Sequence, residues 1–188
     1  MTLSEEARYT GSLILKNKSI LYPTDTVWGL GANIHDEVSV RRLSEIKLRP
    51  VNKSFILLVD SLEMLSQYVI RIHPRVETML YYHVQPVTII YPRARNLPEY
   101  LLAEDQSIAI RVCKDMFCQE LIAFIGQPLI STSANYSGKE TPSNFSEIDP
   151  SLLDKVDYVV RHRQNDKSKS KSSVIARYDE EGVLYFIR

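Results

Sequence analysis

The stretch PLISTSANYSGKETPS, residues 128–143, joins an apolar run to a dense set of small polar side chains. Pro128 to Ile130 is typical of a short buried strand. The thirteen residues that follow it are rich in hydroxyl groups and contain one amide, Asn135, and one glycine, Gly138. A solvated loop needs only polarity, which lysine or glutamate would also supply. Small hydroxyl groups at this density predict that a ligand with many acceptor oxygens is held at the end of this strand.

The composition limits the classes of protein to consider. A chain of 188 residues fits one domain, residues 1–188, with a substantial core. The net charge is zero, so any contact with nucleic acid needs a local basic patch. No apolar run approaches the roughly 20 residues of a membrane helix. The N-terminus, MTLSEEARYTGSL, lacks the basic-then-apolar order of a signal peptide. We therefore expect a cytoplasmic protein.

Helical and strand-like patterns alternate along the chain. Helices are predicted at 4–16 with Ser4 as the N-cap, at 36–46 with Val38, Leu43 and Ile46 on one side, after a cap near Ser61, at 74–82 and at 115–125. Strands are predicted at 19–22, 55–59, 87–91, 108–112 and 128–130, and near 157–160, 173–176 and 183–187. The alternation predicts an α/β fold, a twisted sheet of mixed direction flanked by helices.

Most familiar catalytic and metal-binding patterns are absent from the sequence. It has no GxxxxGK[ST] motif and no GxSxG motif, and Gly29 and Gly31 lack the third glycine of a dinucleotide fingerprint. The four histidines are scattered. Cys113 and Cys118 fit neither a zinc pattern nor a disulfide framework, so we expect reduced thiols and no structural metal.

A second polar segment, YPTDTVWGLG, covers residues 22–31. A predicted strand runs here into Thr24, Asp25 and Thr26 and then into a Gly-x-Gly turn. The glycines allow a close approach of a ligand to the backbone. A plain hairpin with turn residues is the alternative.

A third polar segment, KLRPVNK, covers residues 47–53 and follows a predicted helix. A solvated helix end is one interpretation, because lysine is favourable near a helix C-terminus. In the other interpretation Arg49, turned out of the helix by Pro50, presents its guanidinium to a phosphate or carboxylate. Taken together, the three segments predict a nucleotide site. No nucleophile with its own base is evident, so such a site would work by positioning and electrostatics.

In this order, PTDTVWGLG, KLRPVNK, SIAIRV and STSANYSG resemble the YrdC/TsaC family of threonylcarbamoyl-adenylate synthases. The resemblance runs from about residue 4 to the C-terminus. Its most specific part is the pairing of KxR with SxN, present here as Lys47, Arg49, Ser133 and Asn135.

The resemblance implies a single-domain YrdC-like fold and a nucleotidyltransferase that makes threonylcarbamoyl-AMP and pyrophosphate from L-threonine, bicarbonate and ATP. A transferase complex would then use the product for the t6A modification at adenosine 37 of tRNAs. The carbamate formed by threonine and bicarbonate is the nucleophile, which explains why no catalytic dyad appears. Lys47 and Arg49 would be catalytic, with Mg²⁺ on the phosphates of ATP.

The resemblance also implies individual contacts. The residues at ATP-binding positions are Arg49, Lys53, Ser107, Ser133, Asn135, Thr141 and Arg188. The residues at threonine-binding positions are Thr26, Arg111 and Ser131. The alternative for Arg111 is a surface arginine at the end of a strand. Gly138 would let the loop turn around the nucleotide. Lys167, Lys169 and Lys171 would belong either to a lid over the nucleotide or to a solvated loop.

The sequence departs from the family pattern at four points. Lys53 stands where some members have an asparagine. Leu58 stands where some members have a histidine that contacts threonine. Gln85-Pro86 replaces a Pro-Gly-Pro segment, and the C-terminal domain of the longer members is absent. Two other functions stay open. One is an RNA-binding or regulatory protein of this fold without synthase activity, and the other is a carbamoyl-transfer enzyme acting on another amine.

Overall fold

The computed structural model describes residues 1–48 and 55–187. Its helices are α1 Leu3–Ile14, α2 Glu37–Ile46, α3 Leu62–Tyr68, α4 Pro74–Tyr82, α5 Met116–Ile125 and α6 Pro150–Leu153. Its strands are β1 Ile20–Tyr22, β2 Gly29–Gly31, β3 Ile56–Val59, β4 Val87–Tyr91, β5 Ile108–Val112, β6 Leu129–Ser133, β7 Tyr158–Val159, β8 Val174–Tyr178 and β9 Leu184–Phe186. The predicted α/β fold is confirmed.

The strands described form one mixed sheet in the order β7-β1-β2-β6-β3-β5-β4-β8-β9. Three neighbouring pairs are parallel, β1–β7, β3–β5 and β4–β8, and the others are antiparallel. One face of the sheet carries buried core residues, which include Leu30, Leu57, Ile89, Ile110 and Ile130. Because side chains alternate along a strand, the neighbours of these residues point to the opposite face, where the cleft described below opens.

Two details of the predicted helices are wrong. Thr2, not Ser4, caps α1, because Thr2 and Glu5 form a reciprocal capping box that places the N-cap two residues earlier. Val38 does not share the buried side of α2, since its exposure is 75% while Leu43 is fully buried. Residues five apart on a helix do not share a face.

The polar segments also fold differently from the prediction. Strand β6 continues to Ser133, so Ser131 and Thr132 lie in the sheet and not in a loop. Gly29–Gly31 is not a turn but strand β2, which pairs antiparallel with β1, as in the hairpin alternative. A Cβ atom on Gly31 would lie 2.9 Å from the Tyr22 ring and 3.0 Å from the carbonyl oxygen of Ile130. Glycine is therefore required here for packing.

Candidate active site

A cleft of about 280 Å³ opens on the less apolar face of the sheet. Its floor is built by alternate residues of neighbouring strands, which the register places side by side. These floor residues are Gly29, Ile56, Ile90, Ala109, Arg111, Ser131 and Ser133. The floor of the cleft is therefore partly apolar, and it also presents hydroxyl groups and one guanidinium. Such a lining suits a small polar ligand.

The loop between β1 and β2 forms one wall of the cleft. The Thr24 hydroxyl donates to the carbonyl of Val27 over 2.8 Å and accepts from the amide of Thr26 over 3.0 Å. The hydroxyls of Thr24 and Thr26 are 3.0 Å apart. These local bonds fix the turn and hold Thr26 against the cleft.

Arg111 lies inside β5, and its side chain is only 4% exposed. The alternative of a surface arginine at a strand end is therefore wrong. Its Nη2 atom lies 2.9 Å from Oδ1 of Asp25, whose side chain is 11% exposed. The same guanidinium lines the cleft together with Ser131.

Lys47 caps the C-terminus of α2, but its side chain is buried. Its ammonium donates to the carbonyl of Ser133, and to the carbonyl and side-chain oxygens of Asn135 over 2.7 and 3.3 Å. The Ser133 hydroxyl donates to Oδ1 of Asn135 over 2.5 Å. The interpretation of Lys47 as part of a solvated helix end is therefore wrong. Lys47, Ser133 and Asn135 form one cluster, which joins α2 to the end of β6.

Several other predicted site residues lie away from the cleft or outside the described residues. Ser107 is buried, and its hydroxyl donates to Oδ1 of Asp105 over 2.5 Å. Half-buried Thr141 follows Gly138, whose φ of +81° confirms the predicted turn. Neither Ser107 nor Thr141 is among the described residues that line the cleft. Arg49, Lys53 and Arg188 lie outside the described residues.

Residues 163–173, called here the strap, form a further wall of the site. For the lysines of this segment the sequence predicted either a lid or a solvated loop, and its serines were not among the predicted site residues. Ser172 and Ser173 line the cleft, and Ser168 and Ser170 face a small neighbouring cavity that Thr24 and Thr26 also line. Lys167, Lys169 and Lys171, which alternate with serines along this segment, are exposed. The alternation KSKSKS, which has the period of an extended chain, was the available signal for this arrangement.

The strap is fastened to the rest of the site at both ends. Nη1 of Arg163 donates to the carbonyl of Thr24 over 3.0 Å and to Oδ2 of Asp115 over 3.1 Å. At the other end, the hydroxyls of Ser173 and Thr88 are 2.8 Å apart. The strap thus connects the loop carrying Thr26 with strand β4.

Two groups buried near the cleft stay uncharged. Burial raises the pKa of the Tyr22 phenol and of the Cys118 thiol well above their usual values. The Tyr22 hydroxyl donates to the carbonyl of Ile130 over 3.1 Å. Cys113 and Cys118 are both free, as predicted. A thiol that is protonated at neutral pH is not a nucleophile, so Cys118 is a packing residue.

Among the residues described, no group of three or more histidine, cysteine, aspartate and glutamate side chains could hold a metal ion.

In the described part of the chain, every helix is too short or too polar to cross a membrane.

A family model and curated relatives both match most of this chain. The Sua5/YciO/YrdC family model, described as telomere recombination, matches residues 12–186. A threonylcarbamoyl-AMP synthase of Pseudoalteromonas translucida is 34% identical over 151 residues, 78% of this chain and 80% of that protein. A protein of the same name from Klebsiella pneumoniae is 34% identical over 170 residues, 87% of this chain and 90% of the relative.

Solved structures share the fold. The E. coli YciO structure has a TM-score of 0.82 at 24% identity, covering 98% of this chain and 90% of that one. The structure of P. abyssi Sua5 complexed with L-threonine has a TM-score of 0.79 at 25% identity. That match covers 96% of this chain but only 53% of the Sua5 chain, so the chain spans about half of that protein.

Proposed function

Since the chain belongs to the Sua5/YciO/YrdC family, we propose that it is a threonylcarbamoyl-AMP synthase. It would join L-threonine, bicarbonate and ATP and release pyrophosphate. The observation that carries the proposal is that two sets of polar side chains lie next to each other at the end of β6. Arg111, Thr26 and Ser131 lie in the cleft, and Lys47 and Ser133 belong to the cluster beside it.

The cleft suits an amino acid. A buried guanidinium is a strong partner for a carboxylate, because charge-assisted bonds gain strength where water is excluded. Hydroxyl groups such as those of Thr26 and Ser131 both donate and accept, so they can hold an amine or the threonine hydroxyl. We therefore propose that these three residues bind L-threonine.

We assign ATP to the opening beside the Lys47 cluster. Lys47 already binds the oxygens that end β6, so its contribution is to hold Ser133 and Asn135 in place and to add positive potential for phosphates. Arg49, Lys53 and Arg188 remain proposed phosphate or nucleotide contacts. Ser107 and Thr141 do not line the cleft, so they would touch ATP only if the nucleotide extends beyond it.

In the proposed reaction both nucleophiles come from the substrates, so the enzyme has to align the substrates and needs no nucleophile of its own. The threonine amine attacks bicarbonate, and water leaves as the carbamate forms. A carbamate oxygen then attacks the α-phosphorus, and pyrophosphate departs with the electrons of the broken bond. Arg111 would hold the carboxylate, and the cations near Lys47 would balance the charge that develops on phosphorus. We propose that Mg²⁺ arrives on the phosphates of ATP and balances their charge, since the described residues hold no group of three or more histidine, cysteine, aspartate and glutamate side chains that could bind it.

The product is a reactive acyl adenylate, so we propose that a t6A transferase complex takes it up in the cytoplasm. The relatives named above are synthases, which favours this function over an RNA-binding or regulatory protein of the same fold.

Pyrophosphate release tests the proposal directly. The purified protein should release pyrophosphate from ATP, bicarbonate and Mg²⁺ when L-threonine is present, and only weakly with L-serine or L-valine. Each of these amino acids lacks either the methyl group or the hydroxyl of threonine. Equal release with all three, or release without any amino acid, would contradict the proposed substrate.

A further inference from the structure

The arginine in the cleft is held by a carboxylate that does not itself line the cleft. Arg111 is among the lining residues, whereas Asp25 faces away from the cleft, toward His83 and Gln85. The two side chains are 2.9 Å apart and nearly buried. Burying a guanidinium to this degree costs free energy unless an opposite charge is close. Asp25 supplies that charge and so stabilises Arg111 in its buried position.

The ion pair leaves part of the guanidinium unused. A guanidinium has five N–H donors in one plane. Nη2 lies 2.9 Å from Oδ1 of Asp25, but neither this oxygen nor Nε of Arg111 has a hydrogen-bond partner among the described residues, although both atoms are buried. A buried donor in this state costs free energy unless a ligand satisfies it. Because Arg111 lines the cleft, its unsatisfied Nε–H favours a ligand acceptor there.

The backbone on both sides of Asp25 is fixed by its neighbours in the loop. Thr24 binds the backbone on both sides of the turn, and Arg163 holds the carbonyl of Thr24. The backbone that carries Asp25 is therefore fixed, and its carboxylate lies 2.9 Å from the guanidinium of Arg111. A buried opposite charge at this distance favours the arrangement in which the guanidinium faces it.

From this geometry we infer that Asp25 is a positioning residue, which orients Arg111 so that its free N–H groups face the carboxylate of the bound amino acid. The identity of that ligand rests on the proposed function, but the orientation of Arg111 by Asp25 does not. The effect of losing Asp25 should fall on the amino acid and not on ATP.

Steady-state kinetics test the inference with two isosteric variants. Asp25→Asn should raise the KM for L-threonine about tenfold or more, because one charge-assisted contact is misaligned, and leave the KM for ATP within about twofold. Asp157→Asn is the matched control, since Asp157 is also a partly buried aspartate paired with an arginine, Arg42, at 3.0 Å. It should leave both KM values unchanged. Asp25→Glu, which keeps the charge, should restore part of the threonine affinity.

A purely structural role would give a different pattern. In that case both KM values and the melting temperature of Asp25→Asn would shift together, and this result would overturn the inference. The double variant Asp25→Asn/Arg111→Lys provides a further check. If Asp25 acts through Arg111, the Asp25 substitution should add little once Arg111 is gone.

A measurement without substrates separates this inference from the proposed function. In protein labelled with nitrogen-15 at arginine, the Nε–H signal of Arg111 can be assigned by its absence in Arg111→Lys. We expect slow exchange of this proton with water in the unmodified chain and at least tenfold faster exchange in Asp25→Asn. Unchanged exchange would overturn the inference even if the enzyme uses threonine. Faster exchange would support it even if the chain makes no threonylcarbamoyl-AMP.

Discussion

Lys47 shows how far a single residue could be interpreted from the sequence. The KxR and SxN pattern predicted that Lys47, Ser133 and Asn135 belong together, and the hydrogen bonds of the Lys47 ammonium confirm it. Local sequence could not show that this ammonium is buried and binds backbone oxygens. That arrangement depends on where β6 ends relative to α2, and this is a tertiary property.

Replacing Lys47 should therefore reduce stability as well as activity. Lys47→Ala removes the buried ammonium that donates to the carbonyl groups of Ser133 and Asn135, which costs roughly 1–3 kcal/mol of unfolding free energy. Urea unfolding measures it, with Lys16→Ala as the control at an exposed lysine. An unfolding midpoint equal to that of the control would show that Lys47 does not join α2 to β6.

Ser133→Ala tests the cluster from its other side. The change removes the hydrogen bond to Asn135, and we expect ATP affinity to fall by about 1 kcal/mol, roughly fivefold. Calorimetric titration with ATP gives the value, with the exposed neighbour Ser137→Ala as the control. An ATP affinity equal to that of the control would remove the Ser133 hydroxyl from the nucleotide site.

At the scale of elements, the sequence predicted best where one local signal decides the structure. Helix α4 begins at Pro74 and ends at Tyr82 as predicted, because proline suits the first turn and His73 caps it. Strands β4 and β5 also match, since their apolar runs are continuous. Strand β6 extends further than its apolar part because Ser131 and Ser133 pair with β3 and β2, which are distant in sequence.

The packing of β1 against β2 can be tested at Gly31. Gly31→Ala places a methyl group 2.9 Å from the ring of Tyr22, which is fully buried and cannot easily move. We expect a loss of roughly 1–3 kcal/mol in stability, typical of overpacking. In a Tyr22→Leu background the same change should cost less, because the ring is gone. Equal costs in the two backgrounds would mean that the Tyr22 ring does not require the glycine.

The attachment of the strap can be tested at Arg163. Arg163→Gln removes the ion pair with Asp115 and weakens the bond to the carbonyl of Thr24. Hydrogen exchange of the backbone amides in residues 166–170 should become several-fold faster, because the segment opens more often. Arg161→Gln is the control, since Arg161 is exposed. Exchange rates equal to those of the control would show that Arg163 does not hold the strap.

At the scale of the whole molecule, the sheet brings together residues that are far apart in the sequence. Thr26, Arg111, Ser131 and Ser133 were predicted as site residues, and all four line the cleft. Ser107 and Thr141 were predicted with them but do not line it. Asp25 was not proposed as a site residue, because an aspartate in a turn has an ordinary local explanation. Only the register of β5 beside the loop reveals its pairing with Arg111.

The central claim is that this cleft converts L-threonine, bicarbonate and ATP into threonylcarbamoyl-AMP. Mass spectrometry after incubation with carbon-13 bicarbonate, ATP, Mg²⁺ and L-threonine tests it most directly. We predict an adenylate that carries both the threonine and the labelled carbon, formed in step with pyrophosphate, and lost in Arg111→Ala. An adenylate without the label, or pyrophosphate released without any threonine-bearing adenylate, would contradict the claim.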